Sequence, residues 1–109
     1  MRILMNVKIP NKEFNTFIAD GSAGQKLTQI MEEIKPEAVY FTERHGQRGA
    51  VMVADMASPS DVPRLAEPWF LMFNADVEFH IAMTPTDLEK AHLDQLAKQW
   101  APLMPTAVE

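Results

Sequence analysis

Glu37-Ala-Val-Tyr-Phe-Thr-Glu-Arg-His-Gly-Gln-Arg-Gly-Ala-Val-Met-Val-Ala-Asp55 decides the fold of this chain. It reads as two strands, Glu37 to His45 and Arg48 to Asp55, around Gly46-Gln47. Gly46 supplies the positive φ that a two-residue hairpin turn needs. That turn predicts Phe41 opposite Met52, Thr42 opposite Val51 and Tyr40 opposite Val53. One face then collects Val39, Phe41, Glu43, Ala50, Met52 and Ala54. The other collects Tyr40, Thr42, Arg44, Val51, Val53 and Asp55. The second strand is apolar on both faces, so it is expected to be central and covered on both sides.

The 109 residues suit one domain, with about 102–109 as a loose C-terminal tail. Apolar residues make up 47% and charged residues 23%, ordinary for a globular protein. A net charge of −5 argues against nucleic acid as partner. There is no cysteine, hence no disulfide framework and no thiol chemistry. Met1 to Pro10 does not read as a signal peptide, because Asn6 and Lys8 break its apolar run. No stretch approaches the roughly 20 apolar residues of a membrane span. A cytoplasmic protein that binds neither membrane nor nucleic acid is expected. The eight methionines read as adaptable core filler.

Outward from the hairpin, Arg2 to Ile9 alternates as a strand, with Ile3, Met5, Val7 and Ile9 on one face and Leu4, Asn6 and Lys8 on the other. Asn11 is placed to cap a helix through Phe14, Phe17 and Ile18. Asp20 to Gly24 interrupts it, and Leu27, Ile30, Met31 and Ile34 carry a second helical piece that Pro36 closes. Pro36 also predicts an extended Lys35. Ser58-Pro-Ser-Asp61 is an N-terminal helix signature, followed by Val62, Leu65, Ala66, Trp69 and Phe73. Pro68 predicts a bend or break there. Val77, Phe79, Ile81 and Met83 alternate with Glu78, His80 and Ala82 as a last strand. Thr84-Pro-Thr-Asp87 repeats the cap before a closing helix with Leu88, His92, Leu96 and Trp100 on one line.

The order βαββαβ plus a helix, with right-handed crossovers, predicts an α+β, ferredoxin-like fold with antiparallel sheet order 4-1-3-2 and helices on one side. Ile3, Met5, Val7, Val77, Phe79 and Ile81 would meet the helices. The opposite face would carry apolar and polar groups together, and its apolar part would be an association liability in water. Pairing two such faces about a two-fold axis would bury it.

Tyr40-Phe-Thr42, Val53-Ala-Asp-Met56, Glu67-Pro-Trp-Phe-Leu71 and Met83-Thr-Pro-Thr-Asp-Leu88 carry a resemblance that runs over nearly the whole chain. The chain resembles the dimeric α/β-barrel superfamily, which includes small cofactor-independent monooxygenases and muconolactone isomerase-like enzymes. More closely, it is similar to a family of short, uncharacterised bacterial proteins. Some of those carry a pantothenate synthetase-like name, although a chain this short lacks that enzyme's nucleotide-binding fold. The resemblance implies a homodimer; function has to come from the site.

Several local patterns have a simpler explanation than chemistry. Arg48 to Val53 sits where an RNA-recognition motif would carry stacking aromatics, but Ala50 and Met52 occupy those positions. Gly21-Ser-Ala-Gly-Gln-Lys26 lacks phosphate-loop spacing and reads as a helix break. His45, His80 and His92 have no shared metal-ligand spacing, so no metal site is expected, and no motif implies a cofactor. Ser58 and Ser60 serve the helix start.

One group remains: His80, Asp55, Glu78, Asn6, Lys8, Tyr40 and Arg44, from four strands on the open face. Histidine ordinarily titrates near neutrality, which suits His80 as a proton acceptor. Asp55 and Asn6 are the expected orienters. Lys8 or Arg44 would hold an anionic group, and Tyr40 would stack or donate a hydrogen bond. These residues do not name a reaction. The lead expectation is a homodimer that binds a small organic molecule in a cavity on the open sheet face. The alternatives are a cofactor-independent isomerase or monooxygenase using His80, and a non-catalytic structural or partner-binding dimer in which these groups satisfy one another.

Overall fold

A computed structural model describes residues 1–105; residues 106–109, the last part of the expected loose tail, lie outside the described residues. The elements are β1 (Arg2–Ile9), α1 (Asn11–Ala19), α2 (Ala23–Ile34), β2 (Ala38–Arg44), β3 (Gln47–Asp55), α3 (Val62–Phe73), β4 (Asp76–Ile81), α4 (Pro85–Lys90) and α5 (Leu93–Trp100). Short 3-10 turns at Pro59–Asp61 and Ala101–Leu103 complete them. All strand pairs are antiparallel, in the order β2-β3-β1-β4, which is the expected ferredoxin-like arrangement read from the other edge.

Strand alternation sorts the side chains as the sequence pattern requires. Ile3, Met5, Val7, Ile9, Ala50, Met52 and Ala54 are buried against Phe14, Ile30, Ile34, Leu65, Trp69 and Phe73 of the helices. Leu65, Trp69 and Phe73 recur every four residues, so α3 lays one stripe on the sheet. Phe73 is the hub, with ring centroids of Phe14, Phe17 and Trp69 at 5.3, 5.7 and 6.0 Å.

Several expectations need correction. The hairpin turn is His45–Gly46, with φ of 52° and 79°, not Gly46-Gln47. Two positive φ values in a row give the twist that matches antiparallel strands. Phe41 therefore faces Ala50, Thr42 faces Gly49 and Tyr40 faces Val51, a shift of two positions that leaves every residue on its expected face. Of the bend or break expected at Pro68, the break does not occur: one helix runs from Val62 to Phe73, because Leu65, Ala66, Trp69 and Phe73 are anchored on either side of the missing donor. Lys35 is left-handed (φ 50°), not extended, and its N–H bonds the Met31 carbonyl to end α2. Asn11 opens α1 without capping it; its side chain instead donates to the Gly46 carbonyl and accepts from the Arg48 N–H.

The edges of the sheet are less covered than expected. Ile81 is 70% exposed and Phe41 56%, although both lie on the helix side. The closing helix is broken at His92, which takes a left-handed conformation between α4 and α5. Every residue from Pro85 to Pro105 is exposed, so the expected line of Leu88, Leu96 and Trp100 is not buried in the core. The radius of gyration is 19.1 Å, where a compact chain of 100 residues has about 13 Å.

Trp69 is fully buried, as the sequence predicts, and its Nε1 has no hydrogen-bond partner among the described residues. Trp69→Ala is expected to cost about 3–5 kcal/mol in denaturant unfolding. Trp69→Phe should cost clearly less, because it keeps an aromatic ring and removes an unpaired donor. A Trp69→Ala loss below about 1 kcal/mol would place the ring outside the core.

Asp87 closes the second repeated cap: the Thr84 N–H donates to its carboxylate at 3.0 Å, and its own N–H donates to Thr84 Oγ1 at 3.1 Å. The Thr84 backbone bond, then the Thr84 hydroxyl, hold the Asp87 carboxyl below its ordinary value. The cap's contribution is then fully present above about pH 4, the unfolded carboxylate's range, and is lost as pH falls through the lower folded value. The Thr84 amide resonance should titrate with that lowered value and lose its titration in Asp87→Asn. A Thr84 amide that titrates at about 3.9 would mean that the cap is not formed.

Candidate functional site

The face of the sheet opposite the helices is built in rows. His80, Leu4, Val53 and Ala38 form one; Glu78, Asn6, Val51 and Tyr40 the next; Asp76, Lys8, Gly49 and Thr42 a third. Leu4, Val51, Val53 and Ala38 give the middle an apolar floor that is only half-buried. Charges stand at the ends: Arg2 with Glu37 and Asp55 at one, Lys8, Arg44, Asp76 and Glu78 at the other.

Gly49 governs the charged end. Arg44 lies on β2 and Glu78 on β4, with two strands between them, yet Arg44 Nη2 comes within 4.0 Å of Glu78 Oε2. The arginine crosses the sheet over Gly49. A Cβ on Gly49 would sit 3.0 Å from Arg44 Cγ and 3.0 Å from the Val7 carbonyl oxygen. An interior strand glycine often marks such a close approach. Lys8 Nζ stands 3.6 Å from Asp76 Oδ2 in the same region. Asn6, Lys8, Arg44, His45, Asp76 and Glu78 line a pocket of about 60 Å³. That is room for a water or two, whereas small-molecule sites run to roughly 300–1,000 Å³. One sheet face supplies one wall only.

Glu78 is the central acid. His80 Nε2 is 3.6 Å from the same Oε2 that Arg44 approaches. The orienting place expected for Asp55 is thus taken by Glu78. Asp55 faces Arg2 across the sheet, and its carboxylate lies 3.1 Å from the Met1 amino group. Asn6 stands between Val51 and Glu78, two rows from Asp55, so it forms no bridge from His80 to Asp55. Tyr40 is 72% exposed at the outer edge strand. The structure therefore brings together Asn6, Lys8, Arg44 and Glu78, with His80 beside them, and leaves Asp55 and Tyr40 apart.

Asp76, Gly49 and His45 are participants that the sequence reading passed over. Asp76 precedes Glu78 and His80 at a spacing of two, so strand alternation alone assigns it to the same face. Gly49 carried its signal as a glycine inside a strand. His45 reaches the pocket because the turn begins one residue earlier than expected. His92 lies far from this group in sequence and fold, at the α4–α5 junction, and no three His, Asp or Glu side chains are arranged to hold a metal ion among the described residues. Of Gly21 to Lys26, Gly21 and Ser22 turn the chain between α1 and α2, tied by Asp20 accepting from the Ser22 N–H and hydroxyl at 2.9 and 2.6 Å, and Ala23 to Lys26 form the first turn of α2.

Gly49→Ala is expected to lift the Arg44 stem from β3 and uncouple Arg44 from Glu78. A double-mutant cycle reads this directly: the Arg44–Glu78 coupling in the wild-type background should fall to zero in the Gly49→Ala background. An unchanged coupling would mean that Arg44 reaches Glu78 by another path.

No helix among the described residues is long and apolar enough to cross a membrane. No family model matches the chain, and no curated protein matches it. Among solved structures the chain is similar to MupZ from Pseudomonas fluorescens, at 15% sequence identity over 99% of this chain and 92% of that one, with a TM-score of 0.41.

Proposed function

We propose that this protein is a homodimer that binds a small organic molecule bearing an anionic group, between two open sheet faces. The observation that carries the reading is the make-up of that face: an apolar floor with convergent polar side chains beside it and no helix over it. Arg44 and Lys8 are the anion-holding groups. Leu4, Val51 and Val53 take the apolar part of the ligand. His80, held by Glu78, is the proton acceptor if the cavity is catalytic, in an isomerase or oxygenase that uses no cofactor. A second copy supplies the missing wall.

One observation favours a second reading. Lys8 stands 3.6 Å from Asp76, and Arg44 and His80 stand 4.0 and 3.6 Å from Glu78, so the acids of the cluster already have basic side chains beside them. In that reading the cluster is the polar rim of a non-catalytic dimer.

Sedimentation at micromolar concentration is expected to give twice the 12.3 kDa of one chain. A clean monomer at tens of micromolar removes the shared cavity. Small carboxylic acids screened by amide NMR should then shift Asn6, Lys8, Gly49 and Glu78 together. Arg44→Ala and His80→Ala should each weaken the best binder by about tenfold or more, equivalent to the roughly 1.4 kcal/mol of one charge-assisted hydrogen bond. A dimer in which no acid binds, or in which both variants bind unchanged, supports the rim reading instead.

A further inference from the structure

We infer that the C-terminal arm, Pro85 to Met104, packs on a second copy of this chain, against the outer edge strand β2. The inference rests on the dimer proposed above and adds the element that locks it.

The arm is amphipathic and uncovered. Leu88, Leu93, Leu96, Trp100, Leu103 and Met104 are 44, 55, 42, 57, 71 and 71% exposed. The α5 helix has eight residues, and the element it meets most is the 3-10 turn that follows it. Helices shorter than about 12 residues are marginal in water on their own, so this one needs a surface.

The core of its own chain has no room for it. The helix side of the sheet is filled by α1, α2 and α3, with Trp69 and Phe73 at 0% exposure. The link from β4 to the arm is short and fixed at both ends. The Ala82 N–H bonds the Arg2 carbonyl at 3.0 Å, and Thr84 begins the cap with Asp87. The molecule is accordingly drawn out to 61 Å along its long axis.

A second copy supplies a surface, and the areas suffice. At roughly 100 Å² exposed on each of six side chains, the arm offers about 600 Å². In a two-fold exchange each copy buries its own arm and the surface under the other's, about 1,200 Å² per copy, where a standard interface takes about 800 Å² per partner. With the two-fold axis along the strands, β4 of one copy lies over β2 of the other. Ala82 lies in the row of Arg2 and Asp55, so the arm leaving β4 then emerges beside the start of β2 at Ala38, and Tyr40 and Phe41, 72 and 56% exposed, follow along that same edge strand.

The absence of cysteine makes the test clean. Gln99→Cys carrying a nitroxide, in chains without isotope label, is mixed with nitrogen-15-labelled wild-type chains. Broadening of the Tyr40 and Phe41 amides in the labelled chains is the expected result. A dimer by sedimentation without that broadening overturns the exchange while leaving the dimer standing. Broadening only when spin label and isotope share one chain overturns it in favour of fold-back. A monomer at tens of micromolar overturns the exchange and the dimer together. Independently, Leu96→Asp should raise the dimer dissociation constant at least tenfold while the buried Trp69 environment, read by its own indole nitrogen-15 resonance apart from that of Trp100, stays native. An unchanged dissociation constant overturns the inference.

Discussion

The two-residue turn at His45–Gly46 sets the rows of the sheet, and the rows set everything that happens on the open face. Both turn residues hold positive φ, which costs histidine about 1 kcal/mol or more and glycine little. Asn11 accounts for part of that strain's persistence: its side chain grips the Gly46 carbonyl and the Arg48 N–H from the start of α1. The turn therefore fixes Thr42 opposite Gly49 and leaves Arg44 one row further out. From there the arginine can lie flat across a residue that has no side chain. A register differing by two positions would set Arg44 opposite Gly49 itself and take the guanidinium away from Glu78.

This hierarchy explains what the sequence made legible. Faces follow from alternation, which any register preserving parity keeps, so Tyr40, Arg44, Val51, Val53 and Asp55 were assigned to the open side correctly despite the misplaced turn. Rows follow from register, and the turn expected at Gly46-Gln47 lies one residue earlier because a glycine suits either turn position. The expected Asn6–Asp55 bridge failed for a second reason, since those residues lie two rows apart in the β1–β3 pairing itself. Pro68 does not break α3, because propensity describes an isolated helix, whereas α3 is held by four buried side chains. The break at His92 had no local warning: neither glycine nor proline stands there, and the left-handed residue is a histidine.

Uncovered apolar surface is the common property of the three parts that sequence reasoning placed least well. The open face, the sheet edges at Phe41 and Ile81, and the arm all expose side chains that a lone chain has no means to bury. Alternation and helical spacing identify such residues as facing something; they do not say what. The core proper is small and complete, with its largest members Trp69 and Phe73 at 0% exposure, so these surfaces are not the loose margin of an unfinished core. The open face is also polarised, apolar in the middle and charged at both ends.

The strength of the rim pairs bears on whether that face can take a ligand. Lys8–Asp76, Arg44–Glu78 and His80–Glu78 span 3.6, 4.0 and 3.6 Å with at least one well-exposed partner in each. Pairs of this kind contribute about 0.2–1 kcal/mol in water. A ligand carboxylate that replaces Glu78 on Arg44 therefore gives up little, and it can gain a shorter, bidentate contact that Glu78, reaching across two strands, does not make. Closing a second wall over the cluster sharpens the difference, because removing water strengthens whichever pairing has the better geometry. Self-satisfied polar groups and an anion site are thus compatible on this face. The pairs keep the unliganded cluster from costing stability, and their length keeps them exchangeable.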